Sequence, residues 1–159
     1  MLGEGHGCNV VSMAQTSRPV VDLTATCTCG GVTVAIKGPV YAMFMCSCED
    51  CQKATGAGHS AAALCNPDDV TITGNLTTFT RPSASGATFT RSFCPICGTG
   101  VGGKSSRAPR AILMPVGLFG ACAGWFTPNQ LIFARSHRDW DAIAADLPRY
   151  DTYREGGNI

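Results

Sequence analysis

Charge is scarce in this chain. Asp, Glu, Lys and Arg together make up 14% of the residues, and the formal net charge is +1. Nucleic-acid binders usually present a basic face, and no Lys/Arg run supplies one here. The densest basic patch, Lys104 to Arg110, sits in a short Gly/Ser/Pro-bounded loop. It reads first as a solvated loop and, more sharply, as an anion-binding rim. Long apolar runs are also missing: none reaches the ~18 residues of a membrane span. There is no internal repeat and no low-complexity tract. The opening stretch "MLGEGHGCNVVSMAQTSRPVVDL" lacks a basic region followed by an apolar one, so it does not read as a secretory signal. Residues 1–19 are expected to be a flexible extension, with His6 and Cys8 as tail residues rather than metal ligands. Residues 20–159 are expected to form one domain, because a chain of 159 residues can bury its own core.

What the chain has is short β runs broken by Gly, Pro, Asn and Asp. The expected strands are 32–37, 41–45, 60–65, 70–73, 77–80, 88–93, 111–116 and 130–134, all rich in Thr, Val, Ile and Phe. Helix signals are short: 49–54, one turn near 117–120, and 139–146 stopped by Pro148. The class is mainly β, with several small coiled sheets rather than one large sandwich.

Cysteine is plentiful, at ten residues, and seven of them fall in three tight groups. "TCTCGG" carries Cys27 and Cys29, "CSCEDC" carries Cys46, Cys48 and Cys51, and "FCPICGTG" carries Cys94 and Cys97. With no export signal, a reducing, cytoplasmic setting is expected, where clustered thiols favour metal over disulfides. In a strand, residues two apart share a side, so Cys-x-Cys can aim two thiolates at one ion. Cys-x-x-Cys-Gly folds back on itself, and its amides can donate to the sulfurs. Cys27, Cys29, Cys94 and Cys97 together make a closed four-thiolate site. Exchange of partners, with Cys46 and Cys48 joining Cys94 and Cys97, is also compatible with the spacing but strands Cys51.

Cys46, Cys48 and Cys51 then lack a fourth thiol nearby. His59, Cys65 and Cys122 are the candidates to close the site. For Cys65, in "AAALCN", and Cys122, in "GACAGW", a place in the apolar core is the better reading. His59 fits a wall of the site better than its metal shell. The remaining possibility is an open position that takes water or an incoming ligand.

The order "CTCGG … CSCEDCQKATGA … FCPICGTG" resembles the glutathione-dependent formaldehyde-activating (GFA) family, the CENP-V/GFA domain of the Mss4-like fold. The resemblance runs from about Asp22 to Tyr150 and includes the tail "LIFARSHRDWDAIAADLPRY". It implies small coiled β-sheets stapled by zinc, with two zinc ions per chain. One is structural, at Cys27, Cys29, Cys94 and Cys97. The other is catalytic, at Cys46, Cys48 and Cys51, with its fourth place open. The implied reaction condenses formaldehyde with glutathione to S-(hydroxymethyl)glutathione, a carbon–sulfur lyase reaction run in reverse. The chain departs from the family in having Ser47 where a histidine is common and Gln52 where an arginine is common.

A sulfur-rich metal site suits a soft fourth ligand, and a metal-bound thiol ionises readily. A small thiol such as glutathione could then attack a small aldehyde, with no redox cofactor. Lys53 could balance site charge or hold a carboxylate, and is equally well a solvated lysine. His59 could shuttle a proton. Thr99 and Gly100 read as turn residues, and Trp125 and Phe126 as core. The competing reading is a non-catalytic, zinc-stabilised binding module. Redox sensing by Cys46–Cys51 is a weaker third, since sensors usually offer a free low-pKa thiol with a resolving partner. A homodimer is compatible with loose strand edges.

Overall fold

The computed structural model describes residues 9–12 and 18–155. His6 and Cys8 lie outside the described residues. Within the expected extension, Asn9–Ser12 form strand β1, which pairs antiparallel with β2, Val20–Thr26. In β2, Val21, Leu23 and Ala25 are buried and their neighbours face outward, the period-2 signature of a half-buried strand.

The central element is β3, Val32–Cys46. Its first half pairs with β2 on one side and with β5, Val70–Gly74, on the other. Its second half pairs antiparallel with β4, Ser60–Cys65. The sequence suggests two strands here, because Gly38-Pro39 looks like a break. The structure corrects this: one strand runs through, and Gly38-Pro39 is where it changes partners. β5 ends its pairing at Ile36, and β4 begins at Val40. Glycine at 38 makes room for Asp69, since a Cβ there would lie 2.4 Å from its carboxylate oxygen and the side chain would have to shift.

The hydrogen-bonded path continues from β4 through β9 (Ile112–Pro115), β8 (Gly100–Ser105), β7 (Thr88–Phe93) and β6 (Thr77–Pro82). Strand β8, "GVGGKS", carries no strand signal by composition. Its pairing with β7 makes it a strand, and a Cβ on Gly103 would meet the Phe89 ring at 2.5 Å. Near the end of the chain, β10 (Leu131–Ile132) pairs in parallel with β3 and with β11 (Arg149–Tyr150). The class is mainly β.

Helix α1, Glu49–Thr55, forms where expected. Cys48 caps it, Glu49 and Asp50 sit in its first turn, and Gly56 closes it at φ 70°. The expected helix over 139–146 is absent; this stretch is turns and bends. Asp141 is drawn out of any helical register, its carboxylate bound to His59 Nδ1 at 2.8 Å. The turn near 117–120 is part of a 3-10 segment, Val116–Ala123, kinked at Gly120.

Trp125 is fully buried and meets Phe119 and Phe126 edge-on, each at 6.2 Å between ring centres. It belongs to the core, as does the buried free thiol of Cys65. Cys122 packs against the same core, as expected, and is disulfide-bonded rather than a free thiol. Among the described residues, no helix is long and apolar enough to cross a membrane.

Candidate metal centres and cavity

The fold gathers the seven clustered cysteines into two groups. In each, all sulfurs lie within 4.8 Å of one another. The first is Cys27, Cys29, Cys94 and Cys97. Cys27 follows β2, and the chain turns back through Gly30, with Gly30 N–H donating to the Cys27 carbonyl at 2.9 Å. The second knuckle repeats this, Gly98 N–H donating to the Cys94 carbonyl at 3.0 Å. Both glycines sit in the left-handed region, at φ 77° and 73°. The knuckles face each other, with Cys29 Sγ 3.5 Å from Cys27 Sγ and 3.6 Å from Cys94 Sγ.

Thr99 does more than set a turn. Its hydroxyl accepts from Thr28 N–H at 3.3 Å and lies 3.3 Å from Cys97 Sγ, so it ties the two knuckles together. Hydrogen bonds from the Thr99 hydroxyl and backbone hold the Cys97 thiol down to about 5. The exchanged pairing of Cys46 and Cys48 with Cys94 and Cys97 does not occur.

The second group is Cys46, at the buried end of β3, Cys48 at the cap of α1, and Cys51 in its first turn. Cys51 N–H donates to Cys48 Sγ at 3.4 Å. Hydrogen bonds from the Cys46 and Cys51 thiols, then the Cys51 backbone and the nearby Arg81 charge, pull Cys48 down to about 2. Cys46 is pushed up by hydrogen bonds with Cys48 and Cys51 and by burial. Among the described residues no fourth Cys, His, Asp or Glu joins these three. Three soft sulfur donors suit a borderline-soft metal with one position to spare. Both groups could hold a metal ion.

The structure does not bring His59 or Lys53 to this group. His59 donates Nδ1–H to the Asp141 carboxylate, and His137 Nε2–H donates to the Asp141 carbonyl at 2.7 Å. Lys53 is exposed and lines no part of the cavity beside the sulfurs. Gln52 is structural: its Nε2 donates to the carbonyls of Ser47 at 2.7 Å and Ser136 at 2.8 Å, pinning α1 against the C-terminal segment.

Cys46, Cys48 and Cys51 open onto a cavity of about 530 Å³. Phe44, Leu64, Leu113, Ile132 and Phe133 supply apolar lining. Four arginines also line it: Arg18, Arg81, Arg107 and Arg154. Arg81 is anchored, with Nη1 2.8 Å from Asp50 Oδ2 and its guanidinium over the Phe89 ring at 5.5 Å. Of the four, sequence reasoning finds only Arg107, in the basic loop proposed as an anion-binding rim.

The family model described as glutathione-dependent formaldehyde-activating enzyme (GFA) matches residues 22–136. The chain belongs to the GFA family. The GFA match contains both cysteine groups and ends short of Tyr153 and Arg154; Arg18 precedes it. Among solved structures, a Rhodobacter sphaeroides protein is similar in fold. It is 21% identical, with a TM-score of 0.50, over 62% of this chain and 89% of its own. No curated protein is significantly similar in sequence.

Proposed function

We propose that this GFA-family chain is a zinc-dependent carbon–sulfur lyase that adds a glutathione-like thiol to a small aldehyde such as formaldehyde. One observation carries the reading. Four sulfurs form a closed group in one place, while three sulfurs, with no fourth protein ligand among the described residues, open onto a cavity of about 530 Å³ in another. The first group suits a structural zinc held by Cys27, Cys29, Cys94 and Cys97. The second suits a catalytic zinc held by Cys46, Cys48 and Cys51. The eight free cysteines among the described residues favour a reducing compartment such as the cytoplasm, and the disulfide at Cys122 argues against it.

Zinc, when bound there, supplies a Lewis acid that favours the thiolate form of an incoming thiol. The chain's own residues do the rest. Cys46, Cys48 and Cys51 fix where the thiol sulfur comes to rest. With a dication held there, the three thiolates would leave an excess of negative charge, which Arg81 beside Cys48 would offset. The apolar lining limits water around the reacting carbon. The sulfur lone pair forms the carbon–sulfur bond, the carbonyl π pair moves to oxygen, and the thiol proton ends on that oxygen as a hydroxyl. No oxidant or reductant enters the balance. Lys53 and His59 take no part in this reading: one is outside the cavity lining and the other is committed to Asp141.

The test is cobalt(II) in place of zinc, titrated with glutathione while the near-ultraviolet spectrum is recorded. Growth of a thiolate-to-metal band with saturation, abolished by Cys48→Ala, is the expected result. A cobalt spectrum that shows two sites and ignores thiols would sink the lyase reading and leave a zinc-stapled binding module.

A further inference from the structure

Three of the four cavity arginines have no acidic partner among the described residues. Among the described residues, no carboxylate lies within 4.0 Å of a guanidinium nitrogen of Arg18, Arg107 or Arg154. Two of them are instead laid on aromatic rings: Arg107 over Tyr153 at 4.5 Å and Arg18 over Tyr41 at 5.5 Å. Stacking fixes the guanidinium plane and leaves its N–H edge free, the arrangement that grips a carboxylate or phosphate with two parallel hydrogen bonds. All three are exposed at the mouth, whereas Cys46 lies buried at depth. Among the described residues, Glu155 is the one acidic side chain in the lining. The mouth therefore carries more positive charge than an amino-acid end would use, since its ammonium group cancels one of its carboxylates.

Part of this wall lies beyond the segment that the family match covers, although Arg107 lies within it. Arg18, Tyr153 and Arg154 lie outside residues 22–136, the segment matched by the family. They reach the cavity because β2 follows directly on Arg18 and because β10 and β11 carry the chain back beside β3.

We infer that the thiol substrate is long and ends, away from its sulfur, in a dianionic group read by Arg107, Arg18 and Arg154. The group is a phosphate or a pair of carboxylates without a neighbouring ammonium. This rests on the thiol-addition reading, so its test separates the two.

Two matched pairs of probes serve. 4′-Phosphopantetheine and pantetheine share length and thiol but differ by the phosphate. N-Acetylglutathione and glutathione share two carboxylates but differ by the ammonium. Each is titrated into the cobalt-loaded full chain, reading the thiolate-to-metal band. The dianionic member of at least one pair is expected to bind about tenfold tighter or more. The pair that shows the gap distinguishes phosphate from dicarboxylate. Arg107→Gln is expected to remove most of that gap, while Lys104→Gln, an exposed cation outside the lining, leaves it intact. Equal affinities within both pairs, with the band present, would overturn the inference and spare the thiol reading. S-Methyl-4′-phosphopantetheine, followed by calorimetry, tests the anion site without sulfur ionisation. If it binds the wild type but not Arg107→Gln, and no thiol produces the band, the mouth reads dianions and the thiol reading fails. If it does not bind and no band forms, both fail.

Discussion

Asp50 holds Arg81 Nη1 at 2.8 Å, and so fastens the β6–β7 hairpin to the helix that carries Cys51. A cation is thereby kept beside Cys48. Arg81→Gln is expected to weaken thiol entry about tenfold, ~1–2 kcal/mol, the scale of a charge-assisted contact. Asp50→Ala should cost less, since it frees the arginine without removing it. Thiol titration of the cobalt-loaded variants measures both, and an unchanged affinity in Arg81→Gln would remove Arg81 from the site.

The two cysteine groups should fail differently. Cys97→Ala opens the site that joins β2 to the β7–β8 connection, so the melting temperature should fall by more than about 10 °C. Cys48→Ala should release one of two metal equivalents and shift melting far less. Metal analysis with thermal unfolding compares them, and equal destabilisation would show that both sites staple the fold.

Cys65 gives a pH signature. Burial, with the Asp69 charge behind it, raises its thiol from 9.0 to about 11. A raised folded pKa means the contribution is complete below the unfolded value and is lost as pH climbs from about 9 to 11. In that window the unfolded chain releases a proton that the folded chain keeps. Urea unfolding at pH 8 and pH 10.5 should show less alkaline loss in Cys65→Ala than in the wild type, over and above its constant cavity cost.

Gly58 should tolerate nothing larger. A Cβ there would lie 2.4 Å from the Asp141 carboxylate that His59 holds. Gly58→Ala is expected to cost ~1–3 kcal/mol by displacing that carboxylate. Gly58→Ala combined with Asp141→Ala should recover part of the loss in a denaturant midpoint assay.

The partition of the cysteines was legible because their spacing is local, but the expected strand geometry is not what joins them: Cys27 and Cys29 share a turn just past β2, and Cys48 lies beyond the end of β3 at the cap of α1. The cavity was not legible. Arg18, Arg81, Arg107 and Arg154 have nothing in common along the chain, and only the path of β2, β6, β8 and β11 assembles them. Nearness in sequence misled at Lys53. Two residues past Cys51 on a helix is about 200° round the axis, so the amine faces away from the sulfur. The absent helix over 139–146 failed for a similar reason. Local propensity was sound, but Asp141 had a distant claim on it from His59. Gly38-Pro39 looked like a terminus because punctuation in sequence does not say whether a strand ends or merely exchanges neighbours.

Strand β3 also acts as a ruler. During synthesis Cys27, Cys29, Cys46, Cys48 and Cys51 emerge while Cys94, 65 residues after Cys29, is still to come. Five thiols without their final partners could trap one ion in a mixed site. Fifteen residues of strand separate the two sets, and at ~3.3 Å each they extend on the order of 45 Å. Once the β2–β3 ladder zips, the early cysteines stand at opposite ends of β3, and any ion that binds would be left with one set. Shortening or breaking that strand would therefore scramble metal allocation before it disturbed the finished fold.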